Sequence, residues 1–290
     1  MTPILWRFVL LLLVFISTAI WPVARWTLSK GGHVPAMGFS TSLVTFFCAT
    51  LGLLFVGPAE SLNQLWLPGM LLGFAYSIGF IVLMMRSLQV GPSGPTATIN
   101  NAAMICGVLY GLLWLEPRVP SWSALIGISG VLLGLGSIGY GTWRGGRVDP
   151  RWLPLVSGGG TLSGLSFMTQ TFVGLRNPEV GGLLTYLTIG FLTSALFLIP
   201  FLPPLKQLIR MRRELVGGAM IGLANSLNLP LMLGAIHHLG EEIVLPVAVV
   251  TPMVLVMILG HFGYGERLTR TTWAGCLLVA GAVGLLVSGT

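Results

Sequence analysis

The stretch that decides the fold is GPSGPTATINNAAMICGVLYGLLWLEPRVPSWSALIGISGVLLGLGSIGYG, residues 91–141. It contains two apolar segments joined by a short polar corner at residues 116–118. A similar design returns at residues 240–289, where Glu266 falls about 150 positions after Glu116. The units of small solenoids repeat at about 20–50 residues, so this longer period predicts a duplicated half of the molecule.

The composition places the chain in a membrane. Of the 290 residues, 54% are hydrophobic and 8% are charged, whereas a soluble domain carries about 25% charged residues. The net charge of +7 is distributed between apolar runs, which is typical of a topology signal and argues against a nucleic-acid partner. The sequence therefore predicts an all-α integral membrane protein.

About ten transmembrane helices are expected, since a helix needs about 20 apolar residues to cross a bilayer. The first run resembles a signal peptide, but its apolar part is long and Trp21-Pro22 fits a cleavage site poorly, so we expect it to be retained. Five spans in each half predict two inverted repeats, residues 1–145 and 146–290. The expected spans are 4–28, 36–57, 65–88, 93–115, 122–141, 152–174, 180–202, 215–236, 243–263 and 271–288.

The basic residues indicate an orientation in the membrane. Twelve of the Lys and Arg residues lie at the connections after spans one, three, five, seven and nine, and three lie on the other side. Short basic connections stay in the cytoplasm, so both termini are expected outside. The basic segment 203–214 is then cytoplasmic, either as a topology signal alone or also in contact with anionic headgroups.

The polar residues at membrane depth are neutral. Every Asp and Glu falls at a span end or in a loop, which argues against proton antiport through a buried carboxylate and against organic cations as main substrates. Polar groups in lipid are costly and often functional, although the same groups also join helices by hydrogen bonds. The predicted substrate-binding residues, amides for the polar end and aromatic rings for the apolar part, are Trp21, Tyr76, Phe80, Asn100, Asn101, Gln170, Asn225, Asn228 and Thr251.

No catalytic set is evident in the sequence, so the chain is not expected to be an enzyme. Residues 237–242 (HHLGEE) resemble a metal cluster, but they fall at a membrane edge, where charged residues are ordinary. The three cysteines stand apart from one another, without the spacing of a zinc or redox motif. The sequence therefore predicts neither a metal nor a cofactor.

Glu116 and Glu266 are interpreted as structural corners rather than substrate ligands. Each closes one apolar run just before another opens. Such a carboxylate is expected to accept from free N–H groups of the helix that follows, or to pair with an arginine. Ser121 and either Thr269 or Thr271 are the expected N-caps of those following helices.

The second copy of the repeat resembles the EamA domain of the drug/metabolite transporter superfamily. The resemblance is carried by a mid-span proline, a Gly-Glu-Arg-Leu turn and a glycine-rich last helix, at Pro252, residues 265–268, Gly275 and Gly281. The first copy agrees at Glu116 and in its Gly127 to Gly134 spacing, but Ala102 replaces the proline and Leu115 the glycine.

The resemblance implies a ten-helix transporter with two inverted five-helix repeats around a central cavity, in the inner (plasma) membrane. The predicted function is secondary transport of a small neutral or zwitterionic, amino-acid-like metabolite by alternating access, with export favoured by family analogy. The alternative is a transporter or flippase of a lipid-linked or amphipathic solute. Expected partners are this substrate and membrane lipids, with the chain as a monomer or homodimer. Family members usually have cytoplasmic termini, opposite to the charge bias.

Overall fold

The computed structural model describes residues 3–29, 31–58, 62–115, 122–144, 149–177, 179–239, 248 and 251–288. Within those ranges every regular element is helical and no strand is present, so the predicted all-α class is confirmed. Six helices in this part of the chain are long and apolar enough to cross a membrane, and two shorter apolar helices lie at Thr251–Gly263 and Arg270–Leu285. The molecule is a helical protein with several candidate membrane spans.

The helices lie on the segments that the hydropathy pattern indicates. The first five are α1 Pro3–Leu28, α2 Val34–Val56, α3 Leu62–Val90, the interrupted α4 at 93–115 and α5 Trp122–Arg144. The next five are α6 Trp152–Arg176, α7 Val180–Leu198, α8 Arg212–Leu239, α9 Thr251–Gly263 and α10 Arg270–Ser288. The bounds of α9 are those of its described part. A one-turn helix, Leu205–Leu208, lies between α7 and α8.

Four of the expected spans are not among the six long apolar helices. α9 and α10 are the two shorter apolar helices, whereas α4 and α6 belong to neither group. α4 carries Asn100 and Asn101 and is interrupted directly after Ala102. α6 is rich in glycine, serine and threonine, which lower its mean hydropathy. Length and apolarity alone therefore identify six spans, and the larger number depends on the repeat.

Packing between the helices follows a paired pattern. α3 packs against α6 as α8 packs against α1, and α3 packs against α7 as α8 packs against α2. Three further pairs, α2 with α7, α4 with α9 and α5 with α10, also pack together. When each helix is replaced by the one five helices away in the chain, so that α1 becomes α6 and α6 becomes α1, these pairs convert into one another. The pattern of packed pairs is therefore the same for the two sets of five helices.

Glycines bring these helices together backbone to backbone, as in many membrane helix pairs. A Cβ atom on Gly73 of α3 would collide with the carbonyl oxygen of Gly190 on α7. A Cβ atom on Gly222 of α8 would lie 2.7 Å from the carbonyl oxygen of Thr41 on α2. Neither position can accept a side chain without a shift of the neighbouring backbone.

One turn earlier, Gly69 approaches the carbonyl of Tyr186, and Gly218 approaches the carbonyl of Met37. Each contact in one half has a counterpart at the same sequence offset in the other half. The two segments that carry these glycines, PGMLLGFAYSIGF (68–80) and GGAMIGLANSLNL (217–229), share two glycines, an alanine and a serine at identical spacing. The glycine contacts are therefore duplicated in sequence as well as in space.

Glu266 caps the first turn of α4. Its Oε1 accepts hydrogen bonds from the backbone N–H and the hydroxyl of Ser93, each at 2.7 Å, and its Oε2 accepts from Gly94 N at 3.4 Å. The expectation that it serves the following helix was wrong, because the segment before α10 packs against the start of α4 and α10 has its own cap. That cap is Thr269, one of the two expected candidates, whose Oγ1 accepts from Thr272 N at 3.1 Å. Glu116 lies outside the described residues.

Alanine at Gly73 is expected to lower the melting temperature of the purified protein by several degrees, because overpacking at a tight contact costs about 1–3 kcal/mol. Gly281→Ala is the matched control, since no atom of the described residues lies within 4 Å of a Cβ atom there. It should be neutral or stabilising, because alanine favours a helix by about 1 kcal/mol over glycine. Equal melting temperatures for the two variants would contradict the glycine contact.

Glu266→Gln is expected to destabilise the fold by about 1–2 kcal/mol, because charge-assisted cap bonds to Ser93 and Gly94 become neutral ones. Glu179→Gln serves as the comparison, since the Glu179 side chain precedes α7 and forms no cap bond with any residue in the described ranges. Thermal unfolding followed by tryptophan fluorescence measures both. The capping role would be refuted if the two variants unfolded at the same temperature.

Candidate functional site

An aromatic cluster lies where α1, α3 and α7 meet. Tyr76 stacks on Phe80 with ring centroids 5.1 Å apart, and it meets Phe191 of α7 edge to face at 5.0 Å. Trp21 of α1 meets Phe80 edge to face at 6.1 Å. Trp21 is buried, whereas Tyr76 and Phe80 are half-buried. The three predicted aromatic residues therefore form one wall, and Phe191 extends it.

A hydrogen bond joins this wall to α8. Asn225 Nδ2 donates to the Tyr76 hydroxyl oxygen at 2.7 Å. The two residues are 149 positions apart, which is the offset that relates Gly69 to Gly218 and Gly73 to Gly222. Tyr76 and Asn225 therefore occupy corresponding positions of segments 68–80 and 217–229, and their side chains are hydrogen-bonded to each other.

Asn228 lies one turn beyond Asn225 on the same helix. Its Oδ1 accepts a hydrogen bond from Ser17 Oγ of α1 at 3.1 Å. The two asparagines of α8 therefore contact the two helices that carry the aromatic wall, Tyr76 on α3 and Trp21 on α1. This agrees with the i, i+3 spacing, which places them on one face of α8.

The helix that carries Tyr76 and Phe80 is widened at this level. From Ala75 to Met84 the backbone of α3 has π-helical hydrogen bonding, and Met85 N donates to Phe80 O. Such segments are rare and are found frequently at functional sites. The wall is thus carried by a part of α3 whose backbone departs from the regular helix.

Asn100 and Asn101 form a second polar cluster at the interruption of α4. Asn100 Oδ1 accepts from Ser163 Oγ of α6 at 2.9 Å, and Asn100 Nδ2 donates to Asn101 Oδ1 at 3.4 Å. Directly beyond them the helix tightens, because Ala103 N and Met104 N donate to the Asn100 and Asn101 carbonyls. Interrupted helices are typical of binding sites in transporters.

α6 joins the two clusters. Its Ser163 holds Asn100, and its Leu162 packs so closely on α3 that a Cβ atom on Gly79 would lie 2.5 Å from Leu162 Cβ. Gly79 lies between the widened turns that carry Tyr76 and Phe80. The amide pair of α4 and the aromatic wall of α3 are therefore held against the same stretch of α6.

Two predicted site residues stand apart from these clusters. Gln170 Nε2 donates to Ser166 Oγ on its own helix at 3.2 Å. Thr251 begins the described part of α9 and its side chain is exposed, whereas the other eight candidates are buried or half-buried. Neither residue has a hydrogen bond or ring contact to the clusters within the described part of the chain.

Sequence reasoning missed three partners, namely Phe191, Ser163 and Ser17. The pairing of Tyr76 with Asn225 could have been found from the similarity of segments 68–80 and 217–229. The three missed residues lie on other helices, and nothing in their local sequence distinguishes them from packing residues. In the portion of the chain that the structure describes, no three His, Cys, Asp or Glu side chains form a possible metal site. The side chains of 237–242 lie outside that portion.

Comparisons with known proteins support the fold and leave the activity open. No protein-family model matches the chain, and no curated protein matches it. A solved crystal structure, described only as that of a protein, aligns over 94% of this chain and 94% of its own, with a TM-score of 0.55 and 16% sequence identity. At that identity the likeness shows a shared fold alone.

A double-mutant cycle with Tyr76→Phe and Asn225→Ala is expected to give a coupling free energy of about 0.6 kcal/mol, with an upper range of about 1.7 kcal/mol, as for other hydrogen bonds between membrane helices. Unfolding in mixed detergent micelles provides the four stabilities. Tyr76→Phe combined with Ser226→Ala is the control and should be additive, because Ser226 Oγ donates to Leu223 O of its own helix and bonds no residue of α3 that the structure describes. Additivity of the first pair would show that the Tyr76–Asn225 bond contributes nothing.

Proposed function

We propose that the chain is a secondary transporter that moves a small neutral or zwitterionic organic metabolite across the inner (plasma) membrane by alternating access. The observation that carries this proposal is the hydrogen bond between Tyr76 and Asn225, which joins corresponding positions of two similar segments beside an aromatic wall. In transporters built from inverted repeats, the substrate site lies between the repeats near the middle of the membrane. The proposed site is therefore the space bordered by this wall and the amide pair of α4.

The proposal includes ten transmembrane helices in two inverted five-helix repeats, residues 1–145 and 146–290, of the EamA type. It is supported by the paired packing of the helices and by the duplicated glycine contacts. An odd number of spans in each half requires the second half to enter the membrane in the opposite sense. This arrangement also accounts for α4 and α6 as spans, because their polar side chains bond each other instead of facing lipid.

The chemistry of the two clusters suits an uncharged or zwitterionic solute. Their polar groups are the amides of Asn100, Asn101 and Asn225 together with hydroxyls, which both donate and accept hydrogen bonds. The rings of Tyr76 and Phe80 offer a flat apolar surface beside them. Such a mixture of apolar walls and few polar groups is typical of small-molecule sites. Transport rather than enzymatic conversion is proposed, and export follows from the resemblance to the EamA domain.

Two irregular helices give the proposed site a means of changing shape. The π-helical part of α3 and the interruption of α4 both lie at the clusters. Backbone hydrogen bonds at such places can rearrange without unfolding a regular helix. The tight glycine contacts hold α3 on α7 and α8 on α2, so we propose that these pairs move as units.

The test begins with a thermal-shift screen of the purified protein against neutral and zwitterionic amino acids, because a ligand that binds the folded state raises its melting temperature. The strongest ligand is then used, radiolabelled, in counterflow assays with proteoliposomes. Asn225→Ala and Asn101→Ala are expected to raise its half-saturation concentration about fivefold to tenfold, as the loss of one hydrogen bond implies.

Ser226→Ala, next to Asn225 on α8, is the matched control and should leave counterflow unchanged. The proposed function would be abandoned if no compound of this class raised the melting temperature and none exchanged across the proteoliposome membrane. The proposed site would be wrong if counterflow occurred but Asn225→Ala and Asn101→Ala behaved as Ser226→Ala does.

A further inference from the structure

A polar cavity of about 440 Å³ opens at the basic end of the bundle, between the end of α1, the start of α2 and the last turn of α3. Two arginines, Arg25 and Arg86, are among its lining residues, and no carboxylate of the described residues lines it. The carboxylate of Glu214 accepts from His33 N at 3.4 Å but does not line the cavity. The cavity is separate from the aromatic wall and shares no lining residue with it.

Arg25 is held in place by the main chain. Its Nη1 donates to the carbonyl oxygens of Leu88 and Gly91, the second at 3.0 Å. Both carbonyls lie at the C-terminal end of α3, where a cation is favourable. The guanidinium is therefore fixed at the cavity wall, and a ligand would meet an ordered positive charge.

Arg86 provides a second positive charge that the fold does not use. Its side chain is exposed, and it forms no hydrogen bond or ion pair with any residue that the structure describes. The pair of arginines makes the cavity attractive for an anion with several acceptor oxygens.

His33 and Gln89 complete the polar lining. His33 Nδ1 accepts from Ala36 N at 3.2 Å, so in the neutral ring Nε2 carries the proton and is a donor. Gln89 Nε2 donates to Gly32 O at 2.9 Å and thereby ties the turn before α2 to the end of α3. The cavity is thus bordered by anchored elements.

Aromatic and basic side chains surround the cavity. Trp26, half exposed, has the guanidinium of Arg213 at 5.0 Å from its ring centroid, and Arg213 Nη2 donates to Ser29 Oγ at the cavity wall. Tryptophan and arginine are typical of the membrane interface. Basic pockets between helices on the cytoplasmic side bind anionic headgroups in other membrane proteins.

We propose that this cavity binds a phosphate-type oxyanion between Arg25 and Arg86. The oxyanion comes either from the headgroup of an anionic phospholipid or from soluble phosphate, and both sources present the same acceptor oxygens to the guanidinium groups. The site stands independently of the transport function proposed above, since it uses none of the residues of the two clusters.

The experiment uses the full chain in neutral detergent, with Arg86→Gln and Arg151→Gln as a matched pair. Both are exposed arginines at the basic end of the bundle, and only Arg86 lines the cavity. One arm titrates inorganic phosphate at constant ionic strength and follows the melting temperature. The other arm incubates the protein with mixed micelles of phosphatidylglycerol and phosphatidylcholine and counts retained lipids by native mass spectrometry.

If the proposed site is correct, Arg86→Gln weakens the binding of phosphate or of phosphatidylglycerol, whichever binds, about tenfold. Arg151→Gln leaves this binding unchanged, and Arg86→Lys retains part of it. A response to phosphate identifies the soluble source, and selective retention of phosphatidylglycerol without a phosphate response identifies the headgroup. Equal weakening of binding by Arg86→Gln and Arg151→Gln would show that binding depends only on the overall surface charge, and this would contradict the proposed site. The absence of binding to both phosphate and phosphatidylglycerol would contradict it as well.

Discussion

The close contact between glycine-bearing helices is the constraint on which the rest of the structure depends. Helices in lipid gain little from burying apolar surface, so their association depends on packing and interhelical hydrogen bonds. Gly73 on α3 and Gly222 on α8 allow backbone contact with α7 and α2, and this contact fixes how far each helix slides along its neighbour. Tyr76 and Asn225 each lie three residues beyond these glycines, so the same register brings the phenol and the amide together.

Two charged side chains complete the backbone hydrogen bonding of the turn between α3 and α4. The turn between α3 and α4 receives the guanidinium of Arg25 at the carbonyl of Gly91 and the carboxylate of Glu266 at the N–H of Ser93. A cation at the end of one helix and an anion at the start of the next both complement the helix dipoles. The end of α1 and the segment before α10 are thereby tied to the same short turn.

Hydropathy and periodicity predicted the all-helical fold and the positions of the helices, because length and apolarity determine what can cross a bilayer. The polar and aromatic types of the candidate site residues were also readable, and four of the candidates, Trp21, Tyr76, Phe80 and Asn225, lie together. The π-helical part of α3 and the interruption of α4 were not foreseen, since neither changes the apolar pattern. Ser163 and Phe191 were missed because their roles depend on the register between helices distant in sequence.

The bond between Tyr76 and Asn225 has an evolutionary consequence if the two halves descend from one ancestral subunit. In a symmetric dimer of identical chains, residues that meet on the two-fold axis are necessarily the same, so a tyrosine would face a tyrosine or an asparagine an asparagine. Fusion of the two copies into one chain removes that restriction. A phenol can then pair with an amide, and the centre of the molecule can evolve an asymmetric chemical character while the surrounding glycine contacts stay symmetric.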